Sequence, residues 1–344
     1  MQGLLIHFKA ASEASMKRNL NIEVLRCFLM LVIVAYHGCN NGPFGVEGQN
    51  YDVKFGAWLL SWATNAFVFI SGWYGIKFSW GRVGKFLGMG LYASIVLFLL
   101  SPLAIGRWHY RFSMGWFGNS YLALMLVAPI INEGLLAIER KSILALLSAW
   151  GAYAVAMLLS WLPIVELAVP GWFGHSFNTM LFIYVSAHVL KRMEWFASIS
   201  RTKAICVFLI AQCFHVLFVG AMVVSPWCKA NLAGAGDYNS PWMLIMGAMM
   251  FMIFLKTEFH KWLQGICAIC APSVFMVYLL HNGGDWMVST KLYNSFLLAL
   301  DDVLAWVPVH RILTVICGAF VWFSVMLFVD IPRRVVQRCL LKYL

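Results

Sequence analysis

Long apolar runs separated by short polar breaks recur along the 344-residue chain. Most runs are roughly twenty residues long, which is the length of helix that crosses the hydrocarbon core of a bilayer. Turn-forming residues mark several breaks, including Asn-Gly-Pro at 41–43 and Gly-Gly at 283–284. The pattern therefore predicts an all-α, polytopic membrane protein with about ten transmembrane helices. The predicted spans are residues 20–39, 55–77, 84–105, 114–132, 142–163, 174–190, 202–225, 240–256, 263–282 and 308–330.

The composition excludes a soluble globular domain. Apolar residues make up 62% of the chain and charged residues only 11%, whereas a soluble domain carries about 25% charged residues. No repeat, linker or low-complexity stretch interrupts the pattern, which predicts one transmembrane domain over residues 16–344. Met16-Lys17-Arg18 has the character of the true translation start. Residues 1–15 are therefore expected to be either an upstream extension or a short interfacial helix.

Lysine and arginine fall mostly on one side of the predicted membrane. If the N-terminus is cytoplasmic, only six of the 25 lysines and arginines lie outside, in keeping with the basic character of cytoplasmic loops. We therefore expect both termini in the cytoplasm. The +11 formal charge is spread over short loops, so no nucleic-acid partner is expected. The six outer residues are Lys54, Arg107, Arg111, Lys229, Lys291 and Arg311.

Several ionisable or reactive residues inside the spans are expected to be structural. Cys267 and Cys270 have the spacing of a metal or redox pair, but they lie within a predicted span without a second Cys/His pair nearby. His188 and His215 lie inside spans and belong to no motif that indicates a role. We expect no bound metal.

The longest predicted outer segment, residues 283–307, contains apolar pairs that recur every four residues. This spacing predicts an amphipathic or re-entrant helix at the membrane surface. Asp301 and Asp302 close the pattern, and we expect them to form a solvated helix end rather than to act on a carbohydrate.

The first span carries the most informative pair of polar residues. Arg26 and His37 are eleven residues apart, so they share one face of a helix to within about 20° and lie about 16 Å apart along its axis. Ionisable groups inside lipid are costly and are therefore candidates for function. In the predicted orientation Arg26 lies near the cytoplasm and His37 lies deep, toward the outer leaflet.

This pair suits a transfer reaction across the bilayer. An arginine binds a phosphate or diphosphate through two parallel hydrogen bonds. A histidine accepts a proton from an attacking hydroxyl or carries an acyl group itself. The alternative without a catalytic role is that Arg26 only fixes the orientation of the span, as basic residues at cytoplasmic helix ends do, and that His37 is an interfacial residue.

The sequence resembles acyltransferase family 3 in four segments that occur in the expected order. The first is Ile22-Glu23-x-Leu25-Arg26 followed by ten residues and His37, in the first span. The others are Phe67 to Trp73 with its Ser71-Gly72, Gly115-Trp116-Phe117 through Tyr121-Leu122 to Pro129, and Pro272-Ser273 to Tyr278-Leu279-Leu280-His281. The resemblance extends over essentially the whole chain.

Members of that family are bacterial integral membrane proteins, typically of ten helices, that acylate surface glycans. The resemblance implies that Arg26, Arg82 and Lys85 bind the donor phosphates, that His37 is the general base or acyl carrier, and that His281 organises the outer half of the site. It also implies supporting positions for Glu23, Ser71 and Tyr121. Lysine stands at position 85 where arginine is usual, which keeps the charge but loses the planar fork.

Taken with this resemblance, the sequence predicts a multi-pass membrane protein that moves an acyl group, most simply acetyl from acetyl-CoA, to a hydroxyl of an envelope polysaccharide or lipid-linked glycan. The resemblance also implies that this membrane is the inner membrane of a bacterium. The alternative is a permease or glycan exporter without thioester chemistry. Carriers often contain two related halves with interrupted helices, and no such internal symmetry is present in the sequence.

Overall fold

The computed structural model describes residues 19–46, 51–137, 175–225, 238–307 and 310–340, and every regular element within these ranges is helical. The predicted fifth span, 142–163, and the segment 1–15 lie outside the described residues. In chain order the helices are α1 (Leu20–Asn40), α2 (Pro43–Val46), α3 (Tyr51–Leu60), α4 (Ala63–Tyr74), α5 (Trp80–Ile105), α6 (Gly115–Ala137), α7 (Phe177–Lys191), α8 (Glu194–Ala197), α9 (Arg201–Val224), α10 (Pro241–Leu255), α11 (Lys261–Cys270), α12 (Val274–Tyr278), α13 (Trp286–Leu304), α14 (His310–Val329) and α15 (Ile331–Leu340).

The all-α, polytopic membrane architecture is confirmed. Among the described residues, seven helices are long and apolar enough to cross a membrane. They coincide with the first, second, third, fourth, seventh, ninth and tenth predicted spans, and the 15-residue helices α7 and α10 occupy the sixth and eighth. The eighth span is short, as predicted: α10 has 15 residues, and nine of them are buried.

Two predicted spans are interrupted. The second consists of α3 and α4 joined at Ser61 and Trp62, and it ends at Tyr74 rather than at residue 77. The ninth runs from Lys261 to Gly283 but changes its helical form twice. A 3₁₀ turn at Ala271–Ser273 contains Pro272, which has no N–H to continue the α-helical pattern, and a π-turn occupies Leu279–Gly283.

The helix ends that the charge pattern assigns to the same side of the membrane meet in the structure. At the predicted cytoplasmic side, Lys191 Nζ donates to Trp73 O at 2.9 Å. At the opposite side, Asn294 Nδ2 donates to Asn41 O at 3.2 Å. These contacts agree with the predicted up-and-down order of the helices, while the placement of the N-terminus in the cytoplasm remains a prediction from the basic loops.

Helix α1 lies at the centre of the bundle. In its most apolar stretch 72% of the residues are buried, against 17–50% in the other six long spans. It packs against α3, α4, α10, α11, α12 and α14. Because α1 is enclosed on most sides, the polar residues of its sequence face protein rather than lipid.

Close helix packing at Gly72 places α4 directly against α7. A Cβ atom on Gly72 would lie 2.3 Å from Tyr184 O and 2.8 Å from Ala187 Cβ. The Ser-Gly segment thus has the packing role that small residues have in membrane helices.

The predicted helix in 283–307 is present as α13, and it packs within the bundle against α5 and α14. Tyr293 Oη donates to Val34 O at 3.1 Å, well inside α1, so the helix is closer to a re-entrant element than to one lying on the surface. The expectation of a solvated end is wrong for Asp301, whose Oδ1 accepts from Thr314 Oγ1 at 2.9 Å. Asp302 is exposed, as expected.

Candidate functional site

Three cavities follow one another along α1. The inner cavity has a volume of about 280 Å³, the middle cavity about 270 Å³ and the outer cavity about 460 Å³. Neighbouring cavities share lining residues, so they form a row from the predicted cytoplasmic side to the outer side. Arg26, Ser71, Phe86, Met89 and Tyr121 line both the inner and the middle cavity. His37, Trp116, Tyr238 and Tyr278 line both the middle and the outer cavity.

Arg26 stands where the inner cavity meets the middle one. Its Nη1 lies 3.4 Å from Glu23 Oε1, one helical turn away, and Glu23 is only 3% exposed. A buried carboxylate needs a charged or hydrogen-bonding partner, so the pair orients the guanidinium while 39% of the Arg26 side chain stays exposed. Glu23 therefore contacts Arg26 directly, as a residue that supports Arg26 would.

The basic character of the inner cavity comes from Arg26, Arg82 and Lys77. Its described lining includes no carboxylate. Arg82 Nη1 donates to Lys77 O at 2.6 Å, which fixes Arg82 at the entrance. Lys85 is exposed and lines none of the three cavities, so the structure does not bring it to the other predicted phosphate ligands. Lys77 takes a place there that the sequence did not indicate.

Two residues that the sequence did not single out hold the link between α4 and α5. Ile76 N donates to Tyr184 Oη at 2.8 Å, and Tyr184 Oη donates to Asn132 Oδ1 at 2.6 Å. Asn132 Nδ2 then donates to Ile76 O at 3.1 Å, which closes the ring. This Tyr184–Asn132 clamp satisfies both backbone groups of Ile76 and so positions the link that carries Lys77. The sequence signal that could have identified Tyr184 and Asn132 is their polar character inside apolar spans.

Ser71 and Tyr121 are brought together between α4 and α6. Their hydroxyl oxygens are 3.0 Å apart, and Ser71 Oγ also lies 3.4 Å from Phe67 O. Both side chains line the inner and middle cavities. The geometry supports a role in shaping the passage from Arg26 towards His37.

His37 and His281 form a hydrogen-bonded pair at the junction of the middle and outer cavities. His37 Nδ1 lies 2.8 Å from His281 Nε2, and His281 Nδ1 lies 2.8 Å from Val277 O. On the other side of the imidazole, Asn282 Nδ2 lies 3.0 Å from His37 Nε2. The two histidines are 244 positions apart in the chain, so their contact depends on how α1 packs against the ninth span.

These partners determine which nitrogens carry protons when both rings are neutral. A carbonyl oxygen only accepts, so His281 Nδ1 must donate to Val277 O and His281 Nε2 must accept. His37 Nδ1 therefore donates to His281, which leaves the His37 Nε2 lone pair to accept from the Asn282 amide. His37 Nε2 is thus the basic nitrogen, and it belongs to a residue that lines both the middle and the outer cavity.

The π-turn explains how consecutive residues both reach His37. It widens the helix at Leu279–Gly283, so that His281 and Asn282 contact opposite nitrogens of one imidazole. Gly115 packs on this turn with φ +63°, and a Cβ there would lie 2.5 Å from Tyr278 Oη and 2.8 Å from Gly283 O. π-turns of this kind are frequent at functional sites.

The structure shows how His281 takes part in the outer half of the site. His281 is 1% exposed and lines none of the three cavities, so it contacts His37 and not the contents of the outer cavity. Asn282 does line the outer cavity, and it is a further residue that the sequence did not single out. The only sequence feature that pointed to Asn282 was its position next to His281.

Among the residues that the structure describes, no three His, Cys, Asp or Glu side chains are grouped so as to hold a metal ion. Cys267 and Cys270 are free thiols. The Cys27 thiol lies 3.6 Å from Cys267 O, which is a packing contact between α1 and α11.

No family model, no curated protein and no solved structure matches the chain.

Tyr184→Phe is expected to lower the free energy of unfolding by about 1–3 kcal/mol, because it leaves the Ile76 N–H without its acceptor. Combined with Asn132→Leu, it should show a coupling energy of about 1 kcal/mol or more, since both side chains serve the same backbone unit. Unfolding in mixed micelles measures both quantities.

The matched control is Tyr92→Phe, which removes a hydroxyl that donates to Val329 O at 2.7 Å in another part of the bundle. Tyr92→Phe and Asn132→Leu should add without coupling. Additive effects for Tyr184→Phe and Asn132→Leu as well would contradict the closed ring.

Proposed function

We propose that the chain is a membrane O-acyltransferase that moves an acyl group, most simply acetyl, from cytosolic acyl-CoA to a hydroxyl of an envelope glycan. The observation that carries the proposal is the position of His37. Its basic nitrogen lies at the junction between a passage that begins at a basic cavity and a polar cavity on the other side. The resemblance to acyltransferase family 3 supports the same proposal, and with it a location in a bacterial inner membrane.

The inner cavity suits the phosphates of a coenzyme A thioester. Arg26 and Arg82 present guanidinium groups that form paired hydrogen bonds with phosphate, and Lys77 adds a third positive charge. The middle cavity is lined largely by apolar side chains such as Met30 and Ile33. It suits the pantetheine arm, which would carry the thioester from Arg26 along α1 to His37, about 16 Å further along the helix.

In the proposed reaction an acceptor hydroxyl takes the place of the Asn282 amide at His37 Nε2. As the hydroxyl oxygen attacks the thioester carbonyl, its proton passes to His37 Nε2. The new C–O bond forms, the C–S bond breaks, and the coenzyme A thiolate leaves and recovers the proton from the histidine pair. In the alternative order His37 Nε2 attacks the thioester carbonyl, the C–S bond breaks and the coenzyme A thiolate is released. The acceptor hydroxyl then takes the acyl group from Nε2, and its proton passes to that thiolate.

His281 stabilises the charge that His37 acquires. Once protonated, His37 donates through Nδ1 to His281 Nε2, and that proton can pass to His281, which still donates to Val277 O. The positive charge is then shared between two buried rings instead of remaining on one. This assigns His281 a direct part in proton handling without contact with the acceptor.

The row of cavities is also the observation that favours the alternative, a permease or glycan exporter. A solute passage would use the same space along α1. It would not need a basic nitrogen with a fixed tautomer, and it would consume no thioester. Consumption of the donor thioester therefore distinguishes acyl transfer from transport.

His37→Ala is expected to lower the rate of acetyl transfer by about 10²–10⁴-fold, because it removes the group that accepts the hydroxyl proton. The rate is measured as thiol release from acetyl-CoA by the purified protein with a glycan acceptor. His188→Ala is the matched control, since His188 is a half-buried histidine of α7 that lines none of the cavities. A folded His37→Ala protein with wild-type turnover would exclude the proposed base.

Arg26→Gln is expected to raise the KM for acetyl-CoA by about tenfold or more, with little change in kcat, because it removes a charged contact to phosphate. Glutamine retains a hydrogen-bond donor for the buried Glu23. Arg201→Gln is the control, since Arg201 is exposed at the start of α9 and lines no cavity. Equal KM values for the two variants would show that Arg26 does not hold the donor.

A further inference from the structure

The outer cavity is the largest of the three, and its lining suits a carbohydrate. The amide side chains of Asn40, Asn41 and Asn282 supply both donors and acceptors for sugar hydroxyls. Trp116 and Trp286 provide flat apolar faces of the kind that stack on sugar rings. This cavity is the one that Asn282 and His37 line together.

The charge of the outer cavity has one sign. Arg111 contributes a guanidinium, and the described lining contains no carboxylate. Asp285, which lies between the lining residues Gly284 and Trp286, is turned away from the cavity and is 1% exposed. Its Oδ1 accepts from Met287 N at 3.2 Å at the start of α13, and its Oδ2 lies 3.1 Å from His109 Nε2. The nearest carboxylate along the chain is therefore occupied elsewhere.

We propose that the outer cavity binds a carbohydrate that carries an anionic group, either a carboxylate or a phosphate, and that Arg111 is the partner of that group. A guanidinium forms paired hydrogen bonds with either anion in the same planar geometry. A neutral sugar would leave Arg111 without a counter-charge in the site. The inference rests on the proposed function only for the fate of the bound sugar, which is acylation at the hydroxyl nearest His37.

The two sources of the anion are an acidic sugar unit, such as a uronic acid, and the diphosphate of a lipid-linked glycan. Arg111 belongs to the segment between α5 and α6 at the predicted outer side. Arg107 lies in the same segment and is likewise exposed, but it lines none of the three cavities. The chain thus contains a matched arginine for the test.

The test measures binding by isothermal titration of the purified full-length protein in detergent, with no acyl donor present. The probes are trigalacturonate, the same trisaccharide with its carboxylates reduced to hydroxymethyl groups, and a neutral disaccharide linked to a polyprenyl diphosphate. The proteins are wild type, Arg111→Gln and Arg107→Gln. Wild type should bind at least one anionic probe about tenfold or more tightly than the reduced trisaccharide. Arg111→Gln should lose that preference and Arg107→Gln should keep it.

Preference for trigalacturonate identifies a sugar carboxylate as the anion, and preference for the diphosphate-linked probe identifies the lipid-linked form. Equal binding of all three probes, binding of none, or a preference that survives in Arg111→Gln would overturn the inference. A parallel assay of thiol release from acetyl-CoA separates it from the proposed function. Arg111-dependent binding without thiol release would support this site and refute the acyltransferase. Thiol release together with equal binding of all three probes would support the acyltransferase and refute this site.

Discussion

The hydrogen bond between His37 and His281 is the contact on which the candidate site depends. It joins the central helix to the ninth span, and it fixes the proton of the neutral His37 ring on Nδ1. Buried polar groups in a membrane protein must find partners within the protein, because lipid offers none. The chain of bonds from Val277 O through both imidazoles to the Asn282 amide meets that requirement for each ring nitrogen.

The rest of the fold serves to hold this pair at a junction. Helix α1 is the most enclosed of the seven long spans found among the described residues, so its polar face opens onto cavities instead of lipid. Glu23 orients Arg26 at one end of that face, and the π-turn presents Asn282 at the other. The Tyr184–Asn132 clamp holds the link at the mouth of the inner cavity. A basic entrance, an apolar passage and a polar exit thus lie in the order that the proposed acyl transfer across the membrane requires.

The sequence was sufficient for the spans that fall within the described residues and for the shared face of Arg26 and His37, because both follow from the period of a single helix. It did not predict the contact between His37 and His281, since periodicity does not determine how one helix is rotated against another or where a π-turn forms. Lys85 illustrates the same limit. It follows Arg82 by three residues on α5, but only Arg82 is drawn to the inner cavity, by Lys77 O. Lys85 lies on the exposed face of α5. The sequence did not reveal which face is exposed, because apolar residues occur all round this helix.

The most direct measurement uses proteoliposomes in which the cytoplasmic helix ends face outward. Acetyl-CoA is supplied outside and a glycan acceptor is enclosed inside. If the row of cavities carries an acyl group from Arg26 to His37, acetylated glycan accumulates in the lumen while acetyl-CoA is consumed outside and does not itself enter. Acetylation only when donor and acceptor share one side, or passage of unmodified glycan without thioester consumption, would contradict transfer across the membrane through His37.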